Sequence, residues 1–239
     1  MPVALQPTPA AKASPVEPAE QPLENGDRLT AREFLRRYEA MPEVKKAELI
    51  NGIVYMASPV RLDQHGEPDS LIQGWLCNYA VATPGVKSAT NCTARFGPDD
   101  VPQPDGLLRV VPERGGSARV NAKGYLEGAP ELVAEVAASS ASLDAREKLA
   151  TYRRAGVAEY VLWRTEDESL DWWALEEDEY QPLGAGGDGF LRSRVFPGLW
   201  LDSAALLAGD GAKVMVTLRL GLQSAEHAAF VAELQRRAK

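Results

Sequence analysis

Residues 131–164 read ELVAEVAASSASLDAREKLATYRRAGVAEYVLWR, and this stretch decides the fold. Its first six residues and residues 160–163 are short apolar runs of strand length, the second rich in aromatic and branched side chains. The segment between them predicts a helix, with Ser142 as N-cap, Asp144 in the first turn and Gly156 just past the last turn. Two parallel strands joined by one helix need a right-handed crossover, so the stretch predicts a βαβ unit in a sheet covered by helices.

Two charged residues of this stretch occupy positions where a purely structural pattern would place apolar side chains. Glu135 interrupts the first strand, and a lone carboxylate is costly to bury unless it is paired or binds a metal. Lys148 shares one helical stripe with Tyr152, so we expect it to point towards the sheet that carries Glu135. The alternative is that Glu135 lies on a solvated face and that Lys148 extends to solvent or pairs with Asp144 at i, i+4.

Length, charge and composition narrow the class of protein. A chain of 239 residues is long enough to bury one substantial core. Its 26 Lys and Arg against 34 Asp and Glu give a net charge of −8, which counts against a dedicated nucleic-acid binder, although a local groove can still be positive. The two cysteines lie far apart, as is typical of reduced cytosolic thiols. Two histidines are too few for a His-rich zinc centre, whereas a carboxylate site for a hard cation is compatible with the composition.

The two ends of the chain differ in composition from its middle. Residues 1–26 are rich in Pro, Ala and Glu and predict a disordered tail. This tail lacks the basic and apolar regions of a signal peptide, and no uncharged apolar run has the length of a membrane span, so we expect a cytoplasmic protein without a membrane partner. The folded domain is predicted over residues 27–208. Residues 209–239 are predicted to be a C-terminal extension with an amphipathic helix that could bind a partner or a second copy of the chain.

Local patterns predict the remaining elements. Thr30 and Glu33 form a capping box for a helix that ends near Met41. Asn51 and Gly52 between two apolar runs predict a hairpin. The further expected elements are a helix at 64–82, one strand within 86–96, another at 106–111, an antiparallel pair at 170–175 and 179–183, a strand within 190–200 with a break at Pro197 and Gly198, a helix at 203–207, a strand at 214–218 and a helix at 224–237. Together they predict an α/β domain.

Three charged residues are candidates for a common site. Asp105 precedes a predicted strand, Glu135 lies within another, and Lys148 lies on the covering helix. A divalent-metal site for phosphodiester cleavage needs at least two carboxylates for the ion and a nearby cation to help activate water or neutralise charge on the phosphate. The 30 positions from Asp105 to Glu135 leave room for a strand, a loop and a return to a neighbouring strand. These residues could therefore supply such a metal site.

Several short segments, taken in their order along the chain, resemble those of a known family. They are AELINGIVYMASP at 47–59, His65, QPDGL at 103–107, ELVAEV at 131–136 with Ser139, DAREKLATY at 144–152 and AGVAEY at 155–160. In this order they resemble the Uma-two family, a branch of the PD-(D/E)XK restriction-endonuclease-like superfamily. The likeness covers residues 29–207 and rests on the shared order of the segments.

The resemblance implies a restriction-endonuclease-like mixed central β-sheet flanked by α-helices, with a Mg²⁺- or Mn²⁺-dependent endonuclease centre that acts on DNA. In this comparison Asp105 would be the PD aspartate and Glu135 the second carboxylate, both as metal ligands. The superfamily lysine usually follows the glutamate by two residues, where this chain has Ala137. As in the family, the charge is instead carried by Lys148 on the helix.

Glu48 and His65 match further family positions, Glu48 as a further ligand and His65 as a group that moves a proton or orients phosphate. Each candidate also has a structural interpretation. Asp105 after a proline is typical of a turn, Glu48 before a hairpin of a cross-strand pair, and His65 of an exposed polar residue. The segment after the glutamate reads AASS at 137–140 and departs from the family's Leu-Ser-Pro-Ser. The alternative function is a non-catalytic accessory or interaction protein, including a homodimer. The net charge of −8 favours this alternative.

Overall fold

A computed structural model describes residues 21–138 and 144–237 of the chain. Helices α1–α6 cover Ala31–Glu39, Glu67–Ala82, Leu149–Ala155, Ser203–Leu207, Gly211–Leu222 and Ala225–Arg237. Strands β1–β13 cover Ala47–Ile50, Ile53–Met56, Val86–Thr90, Ala94–Arg95, Gly106–Val110, Arg119–Val120, Leu126–Glu127, Leu132–Ala137, Glu159–Arg164, Ser169–Glu176, Glu179–Pro182, Leu191–Arg192 and Trp200–Leu201. None of the described helices is both long and apolar enough to cross a membrane.

A six-stranded sheet in the order β11-β10-β9-β8-β5-β3 forms the centre of the domain. Strands β8 and β9 run parallel, whereas the other neighbouring pairs of this sheet are antiparallel. The chain passes from β8 to β9 through α3, because two parallel neighbours need a crossover between them. The predicted βαβ unit, the α/β class and the mixed central sheet are therefore confirmed.

The segment between β8 and β9 is only partly described. A π-helical turn at Asp144–Lys148 leads directly into α3. The helix ends at Gly156, whose φ of +81° is the left-handed conformation that favours glycine, as the sequence predicted. The predicted N-cap Ser142, the residue Ser139 and the side chain of Asp144 lie outside what the structure describes.

Side chains of β8 alternate between the two faces of the sheet. Ala134 and Val136 belong to a core that also contains side chains of α2, α4, α5 and α6. Val133 and Ala137 belong to a second core that contains side chains of α3. Because successive strand residues point to opposite faces, Glu135 lies on the α3 face of the sheet.

A third core joins α1 to the hairpin of β1 and β2. The Thr30 hydroxyl accepts a hydrogen bond from the Glu33 N–H at 3.4 Å, which confirms the predicted cap of α1. Asn51 and Gly52 have φ values of +52° and +74°, as a two-residue hairpin turn of this type requires. The predicted hairpin is thus confirmed, and it fixes the position of β1 beside the central sheet.

Side chains from both predicted flanking segments pack into the cores. Leu23 is buried in the third core, and the Gly26 N–H donates to the Val54 carbonyl at 2.8 Å. At the other end, Val214 of α5 and Leu234 of α6 are buried in the core under α2. The described chain outside residues 27–208 therefore contributes to the stability of the domain.

The predicted strand at 214–218 is wrong, because these residues lie within α5. Val214, Thr217 and Leu218 are buried at helical spacing, and the side chain of Asp210 caps the first turn. A short apolar run does not by itself distinguish a strand from a buried helical face. The run within residues 190–200 contributes to two short paired strands, β12 and β13, and the predicted break at Pro197 and Gly198 lies between them.

Candidate active site

The five candidate residues from the sequence line one cleft of about 560 Å³. They come from β1, from a π-helical turn at Leu62–Gly66 before α2, from the bend into β5, from β8 and from the turn before α3. In chain order they are Glu48, His65, Asp105, Glu135 and Lys148. The fold thus brings together residues that are far apart in sequence, while their chemical roles stay predictions.

Glu135 is buried on the α3 face of the sheet, with 3% of its surface exposed. Its Oε1 atom accepts hydrogen bonds from Lys148 Nζ at 3.0 Å and from the Tyr152 hydroxyl. Burial raises the pKa of Glu135 well above its ordinary value, and the charge of Lys148 opposes this shift. The solvated position considered for Glu135 is therefore wrong.

Lys148 lies between two carboxylates. Its Nζ atom is 3.0 Å from Glu135 Oε1 and 3.1 Å from Glu48 Oε2, and the residue is 2% exposed. Glu48 in turn accepts the Gln103 N–H through Oε1 at 2.7 Å. Lys148 therefore joins β1 to β8 inside the protein and does not extend into solvent.

Asp105 is held at the start of β5 by contacts with two other segments. Its Oδ1 atom accepts from Lys46 Nζ at 2.8 Å, and its Oδ2 atom accepts from the Val136 N–H at 3.0 Å. Burial raises the pKa of Asp105, but the charges of Lys46 and Lys148 and the two hydrogen bonds outweigh burial and lower this pKa below its ordinary value. Asp105 is thus a buried, ionised group that binds β8. A residue that only forms a turn does not need these contacts.

His65 is anchored through one ring nitrogen. Its Nδ1 atom lies 2.7 Å from the Val136 carbonyl oxygen, and a carbonyl only accepts, so Nδ1 carries a proton and donates it. In the neutral ring the lone pair is then on Nε2, which lies 3.8 Å from Asp105 Oδ1. His65 therefore presents a nitrogen that can accept a proton at the cleft.

Three further residues of the site were not identified from the sequence. Lys46 binds Asp105, Tyr152 binds Glu135, and Gln73 of α2 donates to the Asp105 carbonyl at 2.7 Å. Lys46 could have been found, because it precedes Glu48 by two residues and extended residues two apart share a face. Tyr152 follows Lys148 by four residues on one helical face, which is a similar signal.

Comparison with known proteins agrees with this architecture. The chain matches the model of the Uma2 family, described as "Putative restriction endonuclease", over residues 31–204. This protein belongs to the Uma2 family. Among curated proteins, none matches the chain.

A solved structure is similar to this Uma2 protein in fold. It is the crystal structure of "a putative nuclease belonging to DUF820" from Anabaena variabilis, with 14% sequence identity and a TM-score of 0.55. The match covers 73% of the present chain and 97% of that chain. At this identity the likeness shows a shared fold, in which a mixed sheet is flanked by helices.

The donor groups in the cleft of this Uma2 protein fit a hard divalent cation. Three carboxylates, those of Glu48, Asp105 and Glu135, face the ammonium groups of Lys46 and Lys148, which leaves a formal excess of one negative charge. Carboxylate oxygens are the ligands that Mg²⁺ and Mn²⁺ prefer. Across residues 21–138 and 144–237, no three His, Cys, Asp or Glu side chains are already arranged around one metal position. The two ammonium groups lie against Asp105 and Glu135 instead.

Proposed function

We propose that this protein is a metal-dependent endonuclease that hydrolyses phosphodiester bonds in DNA. The observation that carries the proposal is the meeting of Glu48, Asp105 and Glu135 with two lysines in one cleft. Carboxylates that are buried together with cations are typical of sites that bind a metal or a phosphate group. Membership of a family described as "Putative restriction endonuclease" supports the nuclease class.

Asp105 and Glu135 would hold Mg²⁺ or Mn²⁺, with Glu48 as a further acidic group. A bound divalent cation would supply Lewis-acid chemistry, which stabilises charge on the phosphate and makes water a better nucleophile at neutral pH. The lowered pKa of Asp105 keeps this carboxylate ionised, as a ligand must be. The Val136 N–H fixes the orientation of Asp105 through Oδ2.

Other side chains of the cleft would position a metal ligand or accept a proton. Lys148 and Tyr152 hold Glu135 through the same oxygen, so both act as positioning residues for this carboxylate. His65 would accept a proton at Nε2, because its Nδ1–H is committed to the Val136 carbonyl. The protein would thus provide two held carboxylates and, next to Asp105, the Nε2 nitrogen of a histidine whose Nδ1–H is bound to a carbonyl.

A non-catalytic accessory protein is the second candidate. One observation favours it: Lys46 and Lys148 already neutralise much of the acidic charge of the cleft. In that case the cluster would stabilise the fold, and the protein would act through its surface, for example as a homodimer. Calorimetric titration with Mn²⁺ separates the two candidates, because an accessory protein has no reason to bind metal through Asp105 and Glu135.

The nuclease proposal is tested by nicking of supercoiled plasmid DNA in Mg²⁺, in Mn²⁺ and in a chelator. We expect wild-type protein to nick the plasmid only with metal, and Asp105→Asn and Glu135→Gln to lose about 1,000-fold or more of the rate. Glu159→Gln is the matched control, because Glu159 is equally buried but lies outside the cleft. Nicking by both site variants at the wild-type rate would remove these residues from the mechanism.

A further inference from the structure

We infer that Lys46, rather than Lys148, is the cation that contacts the phosphate of the substrate. The inference rests on the proposed nuclease function and adds a residue to it. The sequence favours Lys148 for this role, because the usual position of the superfamily lysine is occupied here by Ala137. The positions of the two ammonium groups in the cleft lead to the opposite assignment.

Lys148 is enclosed by protein. Its side chain is 3% exposed, and its Nζ atom lies within 3.1 Å of both Glu48 and Glu135. A phosphate of duplex DNA would have to compete with both carboxylates for this atom, on a side chain with almost no exposed surface. The charge of Lys148 is therefore committed to the two buried carboxylates, and its role is to position them.

Lys46 has the access that Lys148 lacks. Its side chain is 29% exposed and lines the same cleft. The Nζ atom binds Asp105 Oδ1 at 2.8 Å and Asn91 Oδ1 at 3.1 Å. Its backbone is fixed, because the Lys46 carbonyl accepts the Ala57 N–H at 3.3 Å across the hairpin. Lys46 thus combines a held backbone with an ammonium group at the cleft surface.

The partner of Lys46 explains how this ammonium group would become available. Asp105 is the proposed metal ligand, so a divalent cation held by this carboxylate would compete with Lys46 Nζ for it. The lysine side chain is a flexible four-carbon chain that carries a compact charge, so its ammonium group can move without a change of the backbone. A phosphate oxygen bound in the cleft could then replace Asp105 as a partner of the Lys46 ammonium group. We therefore expect the ion pair between Lys46 and Asp105 to be broken when a metal and a phosphate group bind in the cleft.

The test compares Lys46→Met, Lys46→Arg and Lys148→Met with Lys45→Met. Lys45 is the matched control, because it is the adjacent lysine, is exposed and hydrogen-bonds only the Pro42 carbonyl among the contacts described for it. Plasmid nicking in Mg²⁺ should fall about 100-fold in Lys46→Met, since one cation at the phosphate is lost. Lys46→Arg retains the charge and should nick faster than Lys46→Met, and Lys45→Met should match wild type.

Two binding measurements report on the contact without turnover. Binding of a fluorescein-labelled 20-base-pair duplex in Ca²⁺, followed by anisotropy over a range of salt concentrations, counts phosphate contacts. Loss of one such contact makes the plot of the logarithm of the association constant against the logarithm of the salt concentration less steep by about 1. We expect this change for Lys46→Met only. Calorimetry with Mn²⁺ should show equal or tighter binding in Lys46→Met, because the competitor for Asp105 has been removed.

The outcomes separate this inference from the nuclease proposal. If wild type nicks DNA and Lys46→Met has the wild-type rate and salt slope, Lys46 is not the phosphate contact, although the protein is a nuclease. A lowered slope in a folded Lys148→Met, with no change in Lys46→Met, likewise overturns the inference. If wild type binds the duplex with a slope that depends on Lys46 but does not nick, the contact stands and catalysis fails. If wild type neither binds nor nicks, both proposals fail.

Discussion

Two buried glutamates in neighbouring strands, Glu135 of β8 and Glu159 of β9, are satisfied in different ways. Glu135 binds a charged lysine and a tyrosine hydroxyl through one oxygen, and it lines the cleft. Glu159 faces the opposite side of the sheet, where neutral donors satisfy both of its oxygens. These donors are the Trp172 indole N–H, the Ser193 hydroxyl and the backbone N–H groups of Arg194 and Val195.

The comparison shows that burial of a carboxylate does not by itself mark a functional site. Burial raises the pKa of both glutamates above the ordinary value. Glu159 nevertheless has hydrogen-bond donors for both oxygens, from β10 and from the loop between β12 and β13, as a structural group does. Glu135 shares a cleft with Glu48, Asp105 and two lysines. Such a cluster of interacting charged side chains is typical of a site that binds a metal or a phosphate.

The largest expected effect on stability is that of Lys148→Met. It leaves Glu48 and Glu135 buried without this ammonium group, which should lower the free energy of unfolding by about 3–5 kcal/mol. Urea denaturation measures the loss, and Lys148→Met combined with Glu135→Gln should recover part of it. If the single variant were as stable as wild type, Lys148 would not be needed to stabilise the buried carboxylates of Glu48 and Glu135.

Glu159→Ala should have the next largest effect. It leaves buried donors around Trp172 and Ser193 without an acceptor, at a cost of about 1–3 kcal/mol for a buried group that loses its partner. Thermal or urea unfolding reports this loss. Mn²⁺ binding to the folded protein should be unchanged, and weaker Mn²⁺ binding would contradict the purely structural role of Glu159.

Tyr152→Phe tests whether the hydroxyl of Tyr152 positions Glu135. The variant removes one of the two hydrogen bonds to Glu135 Oε1 and keeps the aromatic ring that packs on Tyr160. We expect a loss of about 0.5–1.5 kcal/mol in stability, typical of a single hydrogen bond, because Lys148 still binds the same oxygen, and about 10-fold weaker Mn²⁺ binding. Tyr180→Phe, which removes a hydroxyl bound to the Val157 carbonyl, is the control for the metal measurement. Equal Mn²⁺ affinities in the two variants would count against positioning by Tyr152.

The smallest effect is a pH dependence from Glu159. Its pKa is raised in the folded protein, so between the unfolded value near 4.5 and the folded value the native state binds more protons than the unfolded state. Stability due to this group is therefore greatest at low pH and declines as the pH rises through that window. Urea midpoints from pH 4 upwards should decline less steeply in Glu159→Gln than in wild type. Identical pH slopes would show that the shift of Glu159 is negligible.

Part of this site could be predicted because two residues violate simple periodic patterns. Glu135 interrupts an apolar strand, and Lys148 lies on the apolar stripe of a helix, so each was expected to face the other. The hairpin that carries Glu48 was predictable from Asn51 and Gly52. These signals are local, and the structure agrees with them.

The remaining features depend on contacts between distant segments. The spacing of Lys46 to Glu48 places both on one strand face, but the contact of Lys46 with Asp105 depends on how distant segments pack. The hydrogen bond from Val136 to Asp105 depends on how β5 and β8 are paired. The helix α5 was mistaken for a strand because a five-residue apolar run fits either structure.

The most direct measurement is a crystal structure after soaking in Mn²⁺, with the anomalous signal used to locate the ion. We expect a peak within about 2.5 Å of carboxylate oxygens of both Asp105 and Glu135. Lys46 Nζ should then have left Asp105 Oδ1, while Lys148 Nζ still lies between Glu48 and Glu135. A saturating soak that places no Mn²⁺ at these two carboxylates would contradict the account.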